Sequence, residues 1–139
     1  MRAKVAQERL IRAGKVPYTI VRATQFFEFV GRIAGPGADP VRLPDAPMQP
    51  LAADDVAATL AEVAVGPPKN ATVELAGPEA LPMVRFVARA LAASGDTRAV
   101  VAAPNARYFG TTLDSRGLTP DGASPRISPT RFEEWLSRR

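Results

Sequence analysis

The residue types that could do chemistry are set first by two absences. No histidine and no cysteine occurs among the 139 residues. Histidine is the usual general base near neutral pH and the commonest metal ligand. Without either residue there is no Ser–His–Asp arrangement, no thiolate nucleophile, no disulfide and no thiolate metal site. Acid–base chemistry falls to lysine, tyrosine and carboxylates. Asp54-Asp55 looks like a paired-carboxylate site, but adjacent residues on a helix do not face each other; the pair reads as the N-cap of a helix. No carboxylates show grouped metal-ligand spacing, so no metal is expected. Gly35-Pro36-Gly37 follows no strand-to-helix junction and has no glycine three residues on, so it is no cradle for a pyrophosphate. Arg22-Ala23-Thr24-Gln25-Phe26-Phe27 stands after a strand, where ligands of open α/β sheets bind. Tyr108 and Phe109 either line a cleft or pin the loop that carries them.

These residues need elements to position them. Arg2 to Ala13 is helical by pattern, with Val5, Ala6, Leu10, Ile11 and Ala13 on one side and Gly14 placed as a left-handed cap. Pro17 then starts an extended run, Tyr18 to Val21, dominated by β-branched residues as in a sheet-buried strand. Thr24 to Ile33 suggests a short helix with a large apolar face, on which Phe29 is core. Val41 to Leu43 and Met48 to Leu51 are short extended pieces. Asp54 or Asp55 caps a helix running to about Val65, whose buried stripe is Val56, Leu60, Val63 and Ala64. Thr72 to Ala76 is a second strand, and Leu81 to Ala93 a further helix with Pro82 in its first turn. Glu79 reads as a turn or first-turn residue favouring that helix dipole. Arg98 to Ala103 is a third strand. Asn105 to Pro125 is turn-rich. A last helix follows Pro129 or Thr130, with Thr130 and Glu133 at capping-box spacing and Phe132, Trp135 and Leu136 as an apolar anchor. Helices alternate with strands, so the fold class is α/β.

Composition bounds the surroundings. At 46% hydrophobic residues the chain is suited to a packed core rather than disorder. No apolar run reaches the ~18–20 residues of a membrane span, and no signal-peptide pattern opens the chain, which points to the cytoplasm. The formal charge of +4 is carried mostly by arginines spread from Arg2 to Arg139. Without clustering they do not make a nucleic-acid footprint.

The run AKVAQERLIRAGKVPYTIVRATQFFEF, then QPLAADDVAATLAEVAVG, then TVELAGPEALPMVRFVARAL and the ending RFEEWL resemble the C-terminal half of NmrA-like proteins, atypical or extended short-chain dehydrogenases/reductases. The resemblance implies a doubly wound, Rossmann-like parallel sheet, of which this chain is the C-terminal half, with a small substrate-side α/β subdomain. Residues 1–34 and 53–77 would belong to the sheet part, and 35–52 and 78–139 to the substrate side. It implies NAD(P) as cofactor of the complete protein and a small carbonyl or quinone-like substrate. The family's catalytic pair is Tyr-x-x-x-Lys. Lys4 stands where that lysine would, contacting the nicotinamide ribose, while the tyrosine would fall just before Met1. Arg22, Ala23 and Thr24 would face the nicotinamide; Gln25, Phe26, Phe27 and Tyr108 would edge the substrate.

Without the glycine-rich turn and the tyrosine, this chain alone is expected to hold no dinucleotide tightly and to be inactive. A parallel strand cannot be the only strand of its sheet, so the first strand is expected to leave an uncovered edge that invites self-association. The alternatives are a regulator that senses NAD(P) without catalysis and a stand-alone interaction module using that edge.

Overall fold

The computed structural model describes residues 2–138. Helix α1 spans Arg2–Ala13 and leads through a turn into β1, Thr19–Ala23. The Gly14 N–H closes the last turn on the Leu10 and Ile11 carbonyls at 3.1 and 3.2 Å. Gly14 is not in the left-handed region, so the left-handed cap expected there does not form. A short helix α2, Phe27–Val30, tightens into a 3-10 turn over Gly31–Ala34. Strands β2 (Val41–Leu43) and β3 (Pro47–Met48) follow, then α3 (Ala53–Val65), β4 (Ala71–Ala76), β5 (Leu81–Pro82) and α4 (Met83–Ala93). The chain closes with β6 (Val100–Ala102), β7 (Arg126–Ile127) and α5 (Phe132–Ser137).

Three strands form one parallel sheet in the order β1-β4-β7, with β1 at the edge. In the β1–β4 register Thr19 faces Ala71 and Ala23 faces Leu75. Parallel pairing requires a crossover, and the stretch containing α3 supplies it. Leu75 packs with Val56 of α3 and Leu51. Thr72 and Glu74, at alternate positions, point to the other face. There Arg12 of α1 donates to Thr72 Oγ1 at 2.8 Å. The sheet thus has one helix on each side. The β6 strand does not join it; it pairs in parallel with β2.

The larger core lies beside the sheet. Met83, Phe86, Val87 and Leu91 of α4 meet Phe27, Val30, Val41, Leu43, Met48 and Phe132. Phe132 stacks on Trp135 and meets Phe86 edge-on. Each such fully buried large side chain contributes roughly 1.5–3 kcal/mol. The core under the sheet is thinner. Leu60 is 49% exposed and Ala64 is exposed, so the stripe expected on α3 narrows to Val56, Thr59 and, half-buried, Val63.

Helix ends are capped from a distance. The N-cap of α3 is Ala52, not an aspartate. Glu28, from α2, accepts the Ala53 N–H at 3.3 Å. Asp55 instead accepts Thr130 N–H and Oγ1–H at 3.1 and 2.9 Å. That occupies the Thr130 hydroxyl, and no capping box forms at α5. Glu79 serves α5 rather than α4, accepting from Phe132 N–H and Arg131. A carboxylate at a helix start gains from both the free N–H groups and the dipole, whichever part of the chain supplies it.

One strand-like segment crosses the carboxyl ends of β1 and β4. Leu51 N–H donates to the Gln25 carbonyl and Phe27 N–H to the Leu51 carbonyl, each at 2.9 Å. Gly77 N–H donates to the Gln49 carbonyl, and Gln49 Nε2 returns a bond to the Gly77 carbonyl at 2.8 Å. A Cβ on Gly77 would run into the Pro50 carbonyl oxygen. Gly77→Ala must therefore push this segment off the sheet ends. It is expected to cost about 1–3 kcal/mol, read as a lowered urea midpoint with an unchanged slope.

Candidate functional site

An open groove of about 1190 Å³ runs along the free edge of β1. One wall is the inner face of α1, from Lys4 to Ile11; the floor is β1 and the loop after it. The far wall comes from Phe29 and Arg32, from Tyr108 and Phe109, and from residues 117–121. Helix α1 is otherwise exposed, with Leu10 at 76%. Among the described residues the apolar side predicted for it joins neither core cluster, and β1 is the edge strand of the sheet.

Charge holds α1 in place. Arg22, on β1, grips Glu8 in a bidentate fork, Nε to Oε1 at 2.8 Å and Nη2 to Oε2 at 2.6 Å. Arg12 adds a bond to Oε2 at 3.0 Å. The Arg22 hydrogen bond holds the Glu8 carboxyl below its ordinary range, against a smaller opposing effect of burial. The same bond raises Arg22. Arg22 also lies 3.8 Å from Asp121, and Arg116 reaches Asp121 at 3.4 Å. Glu74 accepts the N–H groups of Asp121 and Gly122. The segment around Asp121 is thereby strapped over the face of the sheet that α1 shares.

The predicted site residues fall as follows. Lys4 lines the groove, with Nζ 3.5 Å from Gln7 Oε1. It lies one helical turn from Glu8, on the same face of α1. Glu8 holds Arg22, so Lys4 and the carboxyl end of β1 share one space. Ala23 is exposed there. Thr24 Oγ1 donates to the Gln49 carbonyl at 2.5 Å. Gln25 lines the groove, with its Oε1 buried and without a hydrogen-bond partner. Phe26 lines the groove and packs on the thin core under the sheet.

Two phenylalanines exchange the places expected of them. Phe27, expected at the substrate, is 2% exposed and lies against Phe132 and Trp135 in the main core. Phe29, expected in the core, is 48% exposed and lines the groove. A single helical turn cannot turn both inward, because residues two apart point away from each other. The position of α4 selects Phe27.

Tyr108 lines the groove, edge-to-face with Phe109 at 4.8 Å. Burial raises its phenol above the ordinary value, which is opposite to what an acid–base tyrosine needs. Phe109 sits at φ 45° and Gly110 at φ 78°. Tyr108 and Thr111 exchange N–H···O bonds of 2.8 and 2.9 Å around them. This is a two-residue hairpin with the signs of a type I′ turn. A bulky residue held left-handed costs about 1–3 kcal/mol, and Phe109 is nonetheless 70% exposed. Phe29, Arg32, Glu8 and Asp121 carried no local sequence signal for the groove; it is assembled across the chain. Among the described residues no group of three or more carboxylates could hold a metal, and no helix is long and apolar enough to cross a membrane. No family model matches the chain, and no curated protein matches it.

Glu8 gives the groove a pH dependence. A carboxylate depressed in the folded state stabilises above its unfolded pKa, and that contribution is lost as pH falls through the folded value. Amide exchange in α1 is expected to be slow at pH 7 and to accelerate, once corrected for intrinsic rates, below the ordinary carboxylate range near about pH 4. Glu8→Gln should show the loosened exchange already at pH 7. Protection that is indifferent to both changes would mean that the ion pair does not hold the helix.

Proposed function

We propose that this chain forms the substrate-side part of an NAD(P)-dependent oxidoreductase of the NmrA-like kind, acting on a small carbonyl or quinone-like compound. The observation that carries this reading is the shared groove. Lys4 and the carboxyl end of β1 line one space at the edge of a parallel sheet, where ligands of α/β sheets bind. The sequence resemblance supports it, and so does a helix on each face of that sheet.

The fit to the cofactor is partial. On this reading Lys4, Arg22, Ala23 and Thr24 would face the ribose and nicotinamide, with the Arg22 guanidinium already held by Glu8. The turns leaving β1 and β4, Thr24–Gln25–Phe26 and Gly77–Pro78–Glu79–Ala80, contain no glycine-rich cradle for a pyrophosphate. The chain's residues bind and orient one end of the cofactor and wall in the substrate. Gln25, Phe26 and Tyr108 remain in that wall; Phe27 does not.

Titration of the chain with reduced nicotinamide mononucleotide and with NADPH, followed by amide chemical shifts, tests this. Both should bind weakly and alike, shifting Lys4 and Ala23 to Gln25. Lys4→Met should weaken both about tenfold or more, the worth of one charge-assisted bond. Silent amides at those positions, or NADPH binding a hundredfold tighter than the mononucleotide, would contradict the reading.

The free edge of β1 favours a second reading, an interaction module that pairs strand to strand. The Thr24 N–H donates to Leu75, so by alternation the Val21 N–H points outward from the sheet. Proline is tolerated at such an edge position. Val21→Pro should dissociate an edge-paired dimer, seen by light scattering, and leave a monomer unaffected.

A further inference from the structure

The polar groups of the groove are mostly committed to one another. Glu8 is held by Arg22 and Arg12, Asp121 by Arg22 and Arg116, and Glu74 by two backbone N–H groups. Among the described residues two cations of the groove are in no ion pair. Lys4 Nζ donates to Gln7 Oε1 at 3.5 Å. Arg32 takes part in none of the ion pairs among the described residues; its guanidinium lies 5.1 Å from the centre of the Phe29 ring.

Around Arg32 the groove is aromatic. Phe29 is half exposed, with Phe26 beside it at 6.3 Å between ring centres. Phe109 is presented from the opposite loop, on a turn that would accept asparagine or glycine more readily. Tyr108 braces it from the side. Exposed aromatic faces, a backbone conformation unfavourable to the ring it presents, and an arginine outside the ion pairs of the described residues line one groove. Stacking surfaces take a planar ring; a guanidinium already lying on an aromatic face takes a carboxylate in its plane through a two-bond fork.

We propose that the groove binds a planar aromatic anion, its ring against Phe29 and Phe109 and its carboxylate on Arg32. The proposal rests on the reading of this groove as a substrate side and narrows the substrate class to aromatic acids. It needs no dinucleotide, so its test is separate from that of the cofactor. The competing occupant is a second copy of the chain laid over Phe109.

The test uses 2-naphthoate, neutral 2-naphthalenemethanol and cyclohexanecarboxylate, titrated onto the whole chain by calorimetry and amide shifts. Naphthoate should bind at least about tenfold tighter than either of the others, as one charge-assisted contact or one stacking surface provides, with shifts at Arg32, Phe109 and Gly110. Arg32→Gln should abolish the preference for the anion over the alcohol. Phe109→Asn removes the ring yet suits the left-handed turn. It should weaken naphthoate about tenfold while the melting temperature holds or rises. Equal affinity for acid and alcohol, or affinity unchanged in either variant, overturns the proposal. So does a dimer that Phe109→Asn dissociates.

Discussion

The structure depends on the hydrogen bonding of residues 49–51 across the carboxyl ends of β1 and β4. Gln49 is tied to Thr24 and to Gly77, and Leu51 to Gln25 and Phe27. Those few bonds fix where the chain leaves the sheet. They aim the loop after β1 along the groove and send Phe27 into the core built around α4. The approach is close enough that only glycine is accommodated at position 77. Backbone groups that would otherwise end unsatisfied at a sheet terminus are used to join the small sheet to the larger apolar cluster.

The two sides of the sheet are secured by different forces. On the α3 side, Val56, Leu75 and Leu51 exclude water in the ordinary way. On the α1 side the contacts are Glu8–Arg22 and Arg12–Thr72, and the apolar residues of α1 lie largely in the open. An amphipathic helix attached by its polar residues leaves a broad groove beside β1. The same groove collects Lys4, the strand end and the aromatic residues of two distant loops.

How much of this was legible in the sequence follows from the range of each signal. Helices α1, α3 and α4 and strands β1 and β4 are marked by local periodicity and by glycine and proline breaks, and they stand close to where those patterns place them. Signals that depend on a distant partner were misread or silent. Asp55 has the look of a cap and bonds to Thr130, 75 residues away. Glu28 and Glu79 cap helices to which they do not belong. The two-residue β7 has no pattern at all; it exists because β4 offers Arg126 and Ile127 a register. Phe27 and Phe29 are chemically alike, and only the placement of α4 tells them apart. The sequence pointed to a strand end, through Lys4 and Arg22 to Phe26, and left open whether Tyr108 and Phe109 line a cleft; that Phe29 and Arg32 line the same groove had no local signal.

The fork between Glu8 and Arg22 has one more effect. Attraction between partly exposed charges is damped by dissolved ions over a distance of about 8–10 Å at ordinary ionic strength, whereas contact between greasy surfaces is not. Brine and plain buffer therefore act unequally on the two faces of the sheet, loosening α1 and sparing α3. The aperture beside β1 answers to the electrolyte around the molecule as well as to its own residues.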